Sequence, residues 1–177
     1  EFAASMDEYR GMEVLDRGAS RAVVTRLEMR DDESQRRHRR NPINTIQTRL
    51  KTPQSMLEKV GRRNLAPSIG VIQRELTDIA GIRVICSYLD DIYLLARLLC
   101  AQDDVELVRE HDYIKHPKPN GYRSLHIVIS VPVHLSDGAH RVPVEIQIRT
   151  IAMDFWASLE HELRYKSQAK ISKDIGK

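Results

Sequence analysis

The sequence predicts an α/β (α+β) protein built on a mixed β-sheet flanked by helices, and three observations carry that expectation. Ser124 to Val133 and Val142 to Arg149 alternate apolar and polar residues with the two-residue period of a half-buried strand. Gly81 to Ser87 and Val105 to Val108 add two short apolar runs that read as strands. Between these lie stretches whose apolar residues recur at helical spacing, with no internal repeat or low-complexity linker. Interleaving of this kind favours one sheet with helices packed on it. A chain of 177 residues, 41% hydrophobic, is long enough for one core and too apolar for wholesale disorder.

Residues 1–40 form an expected N-terminal helical segment, set apart from 41–177. Residues 7–40 are highly charged and lack proline, and Ala22, Val23, Leu27 and Met29 give only a partial stripe. One or two helices with a mostly solvated face are expected. Arg36-Arg37-His38-Arg39-Arg40 could attract phosphate or, weakly, RNA, or could simply be solvated. Asn41-Pro42 ends the segment. Thr52 then reads as an N-cap with Pro53 at the first helical position, and Met56, Leu57 and Val60 as the apolar side. Ser68 reads as the cap of a second helix through about Asp78, facing inward with Ile72, Leu76 and Ile79. After the strand Gly81–Ser87, Asp90 is the expected cap of a helix holding Ile92, Leu95, Ala96 and Leu99. Lys115 to Gly121 is a loop rich in turn residues, and Ser136-Asp137-Gly138 suits a hairpin turn. Thr150 caps a last helix to about Lys166, whose Ala152, Phe155, Trp156, Leu159 and Leu163 line one side. Phe155, Trp156 and Leu159 are expected to bury against the sheet and close the core.

No apolar run approaches the roughly 20 residues that span a bilayer. The first residues lack the basic-then-apolar pattern of a secretory signal, and Glu1 and Phe2 precede Met6 as if extraneous. Cys86 and Cys100 sit among apolar residues without metal-binding spacing, as reduced thiols of a cytoplasmic protein would. A net charge of +3 does not imply nucleic acid, but it suits small anionic ligands if the cations converge.

Chemistry concentrates on the alternating strands. Val142, Val144, Ile146 and Ile148 face one way, and Glu145, Gln147 and Arg149 the other. Ser124 to Val133 repeats this with His126 on its polar side, so pairing would put Glu145 and His126 on one face. A sheet with one wet side explains that pattern equally well. Asp78 precedes the Gly81 strand, and with a second carboxylate it could hold Mg²⁺ through oxygen. It could also be an ordinary helix-end residue. The chain has neither GxxxxGK[ST] nor GxGxxG, so a nucleotide would have to be held by side-chain cations. Candidates are Arg49, Lys51, Lys59, Arg62 and Arg83, and the two flat guanidinium groups of Arg49 and Arg83 could stack on a purine. Tyr122, after Lys118 and Asn120, could be core or a stacking platform.

Six motifs stand in order: Arg49-Leu50-Lys51-Thr52-Pro53, Asp78-Ile79-Ala80-Gly81-Ile82-Arg83, Asp112-Tyr113-Ile114, Lys118-Pro119-Asn120-Gly121-Tyr122-Arg123-Ser124-Leu125-His126, Glu145-Ile146-Gln147-Ile148-Arg149-Thr150 and Phe155-Trp156-Ala157-Ser158-Leu159-Glu160-His161. Together they resemble the synthetase domain of RelA/SpoT proteins, especially the small alarmone synthetases, from about Asn41 to Lys166. The resemblance implies a nucleotidyltransferase-like fold and pyrophosphate transfer from ATP to the 3′-OH of GDP or GTP, making (p)ppGpp and AMP. It implies Mg²⁺ held by Asp78 and Glu145, with Glu145 also activating the 3′-OH. Arg49 and Arg83 match the pair around adenine, and Lys51, Lys59 and Arg62 the contacts to ATP phosphates. Tyr122 matches the residue stacked on guanine and His126 a phosphate contact, with Lys118, Asn120 and Gln147 on the same acceptor side.

The chain departs from that pattern in three places. His111 stands where Lys or Arg is usual before Asp-Tyr-Ile, which would make that contact pH-dependent. Residues 1–40 match nothing in the family pattern. Small synthetases usually continue past Tyr165-Lys166 with helices used in oligomerisation, so no stable closed tetramer is expected. A homologue that only binds nucleotide or RNA is the alternative to an active synthetase, and no hydrolase motif is present.

Overall fold

The computed structural model describes the backbone of residues 2–174 and the side chains of 6–163. The elements are α1 (Phe2–His38), β1 (Ile43–Leu50), α2 (Pro53–Arg62), α3 (Ile69–Glu75), β2 (Ala80–Cys86), α4 (Leu89–Cys100), β3 (Glu106–Asp112), β4 (Leu125–Leu135), β5 (Gly138–Thr150) and α5 (Ile151–Asp174). One five-stranded sheet runs in the order β1-β2-β5-β4-β3. β2 and β5 are parallel, and the other pairs are antiparallel, so the sheet is mixed.

Alternation decides which face is buried. Ala80, Ile82 and Val84 of β2, Leu125, Ile127, Ile129 and Val131 of β4, and Val142, Val144, Ile146 and Ile148 of β5 share one core with Ile92, Leu95 and Leu99 of α4. Each Val, Leu or Ile among them contributes roughly 1.5–3 kcal/mol by leaving water. Cutting the fully buried Ile146 to Ala would cost roughly 2–5 kcal/mol. The opposite face carries the intervening polar residues, with Ile85 and Val128 as buried apolar exceptions.

Residues 2–38 are one continuous helix, and it is less solvated than expected. Ala19, Val23 and Leu27 enter the sheet core, and Met12 joins a second cluster with Met56, Val60, Ile72, Leu76 and Ile79. Met29 is exposed instead, because the buried stripe follows the 12-19-23-27 spacing rather than 22-23-27-29.

Several boundaries move. β1 was not anticipated. It is an edge strand whose register shifts between Ile43 and Thr45, and that irregularity breaks the two-residue period. Ser68 does cap α3, accepting from the Val71 amide, but the helix ends at Glu75 and Leu76 is extended. Asp78 therefore sits in a connector, not on a helix end. Tyr88, not Asp90, precedes the first residue of α4; Asp90 and Asp91 lie in its first turn, where a helix favours acids. Strand β3 extends to Asp112 at the sheet's other edge. Leu57 is exposed.

The largest correction concerns α5. Thr150 Oγ1 accepts from the Met153 amide as a cap should. Yet Phe155 is 68% exposed and Trp156 46%, and Leu159 and Leu163 are exposed too. The helix leaves the sheet after its first turn instead of lying across it, so its apolar side does not close the core.

Candidate active site

The open face of the sheet is organised by register. One row across it runs Arg49, Gly81, Glu145, Val128, and the next runs Gln47, Arg83, Gln147, His126. Strand pairing alone thus gathers residues separated by up to a hundred positions. Gly81 puts no side chain between Arg49 and Glu145, which leaves the floor of the site open. The resulting cleft, about 430 Å³, is lined by Arg49, Lys51, Asp78, Arg83, Glu145 and Gln147, together with Gln47, Thr48, Gly81 and Ile82.

Asp78 is the electrostatic pivot. Lys51, just past β1, is fixed to the Asp78 segment by its amide, which donates to Ile79 O at 2.9 Å. Its ammonium and that of Lys59 on α2 both pair with Asp78 Oδ2, the latter at 2.6 Å. Burial pushes the Asp78 carboxyl up, but the two lysines outweigh it and hold the group below the usual range. Asp78 Oδ1 is buried and has no hydrogen-bond partner among the described residues. Arg62, one turn beyond Lys59, stays exposed at the end of α2 and does not line the cleft.

Glu145 is the second carboxylate. His126 Nδ1 lies 3.8 Å from its Oε1, and Gln147 Nε2 donates to Oε2 at 3.5 Å. The imidazole holds Glu145 low against the opposing pull of burial and of the Asp78 charge. Among the described residues no group of three or more His, Cys, Asp or Glu could cage a metal. Two hard carboxylates in one cleft, one with an unpartnered buried oxygen, instead fit a divalent ion that takes its other ligands from water and phosphate.

Beyond His126 the site becomes aromatic. Tyr122 is half-buried, its hydroxyl 2.8 Å from His126 Nε2. Lys118 Nζ lies over the rings of Tyr113 (4.6 Å) and Tyr122 (5.0 Å). A tight turn shapes this loop: Gly121 has φ +80, its amide donates to Lys118 O, and Asn120 Oδ1 accepts from the Tyr122 amide. The edge of Trp156 packs on Gly121, so near that a Cβ there would lie 3.2 Å from the indole nitrogen. His111 is exposed and stacks on Tyr113.

Sequence reasoning missed four participants. Gln47 went with the unrecognised β1. Tyr113 joins the ring cluster from just past β3. Arg149 is 2% exposed, donates to Gln147 Oε1 at 2.8 Å and to the Tyr122 hydroxyl at 3.3 Å, and faces Asp154 at 3.5 Å. Asp154, on the first turn of α5, also faces Arg83 at 3.9 Å and so links the two cations. Alternation had put Arg149 on the polar face; a buried arginine on that face is a signal for a partner.

The arrangement has relatives. The family described as a region found in RelA / SpoT proteins matches residues 48–170. GTP pyrophosphokinase YwaC of Bacillus subtilis (strain 168) is 39% identical over 170 residues, 96% of this chain and 81% of that protein. The structure of small alarmone synthetase 1 from Bacillus subtilis bound to its product pppGpp matches with a TM-score of 0.80 at 36% identity, over 89% of this chain and 80% of that one. The same synthetase bound to AMPCPP matches with a TM-score of 0.75 at 31% identity, over 92% and 81%.

Proposed function

The chain belongs to the RelA/SpoT family, and from that premise we propose that it transfers pyrophosphate from ATP to the 3′-OH of GDP or GTP, releasing AMP. The observation that carries this reading is a cleft that brings Arg49, Lys51 and Arg83 together with the carboxylates of Asp78 and Glu145, while Glu145 faces His126 and through it the Tyr122 loop. Arg49 and Arg83 are diagonal neighbours on adjacent strands. Such neighbours lie roughly 7–8 Å apart, and a flat adenine fills that gap at van der Waals contact on both sides, about 3.5 Å each. Lys51 and Lys59, which pair with Asp78, are placed to meet phosphates, and exposed Arg62 could reach them only from outside the cleft.

In the transfer, the 3′ oxygen bonds to the β-phosphorus, the bond from that phosphorus to the α,β-bridging oxygen breaks, and AMP leaves. Glu145, ionised at neutral pH, takes the 3′ proton. Tyr122 stacks on guanine, with Lys118, Asn120, His126 and Gln147 around the acceptor. Asp78 and Glu145 would hold a divalent ion, Mg²⁺ in our reading, which supplies charge neutralisation at the phosphates. Residues 41–177 carry all these groups, while α1 supplies part of the core beneath them. We place the activity in the cytoplasm, where both nucleotides are available. Weak RNA binding by Arg36–Arg40 belongs to the same proposal, although Arg37 already pairs with Glu33 and Arg40 with Asp91.

The test is direct. Purified chain with ATP, GDP and Mg²⁺ should yield AMP and a 3′-pyrophosphorylated product in equal amounts on anion exchange. Tight nucleotide binding with no AMP would leave only a binder.

A further inference from the structure

A second cavity, about 420 Å³, lies between α1, α3 and the first half of β5. It shares no lining residue with the cleft described above. Met12, Leu76, Ile79 and Val142 give it an apolar side, and Gln73, His140 and Arg141 a polar one. Into this lining α1 sets one carboxylate, Asp16, only 5% exposed, whose Oδ2 is buried and has no hydrogen-bond partner among the described residues.

Buried carboxylates normally have partners. Asp91, 1% exposed, illustrates the usual solution: Arg40 grips both its oxygens at 2.7 Å. Asp16 has no such clamp, and the cationic side chains of the cavity wall are engaged elsewhere. Arg141 donates to Asp104 O at 2.6 Å, and His140 pairs with Asp137 at 2.8 Å. The cavity thus holds one desolvated carboxylate whose Oδ2 no donor of the described residues reaches, Gln73 of the same wall included.

We propose that this cavity is a binding site for a small organic ammonium ion, with the ammonium on Asp16 and a short apolar body against Met12, Leu76 and Ile79. An ammonium offers three donors and a compensating charge, which is what a desolvated carboxylate requires. An anion would be repelled. A neutral alcohol could fill the pocket but would leave the charge uncompensated. Burial pushes the empty site's Asp16 carboxyl up to about 7, so near-neutral protonation competes with the cation. The site also bears on the proposed reaction, because Ile79 directly follows Asp78. An occupant there would touch the segment that positions that carboxylate.

Methyl NMR of the full chain, reading Met12 and Ile79, tests the site with butylammonium, butan-1-ol and butyrate as probes. Butylammonium should give saturable shifts at both methyls, with affinity about tenfold weaker in Asp16→Asn and about thirtyfold weaker on lowering the pH from about 8 to about 5.5. Butan-1-ol should bind more weakly and butyrate not at all. Equal affinity for the alcohol, no pH dependence or no saturable shift would overturn the proposal, and the last would mean a cavity that holds solvent only. The pH series and probe comparison use unaltered protein, so they stand even if Asp16→Asn misfolds. They also stand if the chain proves to be no synthetase.

Discussion

Tyr122 and His126 are joined by a 2.8 Å hydrogen bond between the phenol oxygen and Nε2. The other imidazole nitrogen of His126 faces Glu145 at 3.8 Å. The ring assigned to guanine and the carboxylate assigned to the 3′ proton are therefore connected through one imidazole. Binding and proton transfer should be separable only by changes that respect this link.

Tyr122→Ala should weaken GDP or GTP and spare ATP. A base-stacking ring contributes roughly 1–3 kcal/mol, so KM for the acceptor should rise about 5- to 150-fold. Tyr122→Phe keeps the ring and loses only the hydroxyl's hydrogen bonds to His126 and Arg149, and should leave acceptor KM much closer to the parent value. Initial rates over a grid of both substrates check this, and equal weakening of ATP and acceptor would assign Tyr122 to the scaffold.

Glu145→Gln should cost at least about 100-fold in kcat, the low end for losing a general base. Val144 and Ile146 hold the strand in the core, so the melting curve should stay near that of the parent. A normal rate with a normal melt would reject Glu145 as the base.

Chelation should abolish AMP release, and Mg²⁺ should restore it. Asp78→Asn should not be rescued by Mg²⁺, because it removes the charge that holds Lys51 and Lys59 as well as a proposed metal ligand. Undiminished turnover in a chelator would take the metal out of the reaction.

Stability should depend on pH with two opposite signs. Asp78 and Glu145 have lowered carboxyl pKa values. Their contribution is complete above the ordinary carboxylate range and is lost as pH falls through the lowered values. Asp16, raised to about 7, works the other way. The fold gains nothing from it below the ordinary range, where both states are protonated, and loses stability relative to that limit as pH rises from about 4 to about 7. Tyr9 on its own helix, and His140 and Arg141 on β5, are the other titratable groups facing this region, and α3 contributes none to the cavity wall. Asp16→Asn should flatten the melting temperature between about pH 5 and about pH 8 and stabilise the protein at the upper end, by an upper bound of about 4 kcal/mol. An unchanged pH profile would mean that Asp16 is solvated.

The polar face of β5 was legible because its alternation is strict, and strict alternation fixes which side chains share a side; β4 follows it except at Val128. Strand order was not legible, since nothing local says that β2 inserts beside β5 in parallel. β1 escaped because its bulge and edge position leave apolar residues at 43, 46 and 50, a spacing closer to a helix. On α5, periodicity gives the same signal whether a face is covered or bare, so Phe155 and Trp156 were misplaced. Arg149 and Asp154 meet across a strand–helix junction, where neither period applies.

Trp156 is the chain's single tryptophan, and it rests on Gly121 in the loop that carries Tyr122. The protein thus contains its own fluorophore at the acceptor end of the cleft, partly open to solvent, with no competing indole elsewhere. Emission at tryptophan wavelengths can follow this loop in unlabelled protein during a stopped-flow experiment. Nucleotide added at the other end of the sheet supplies the control.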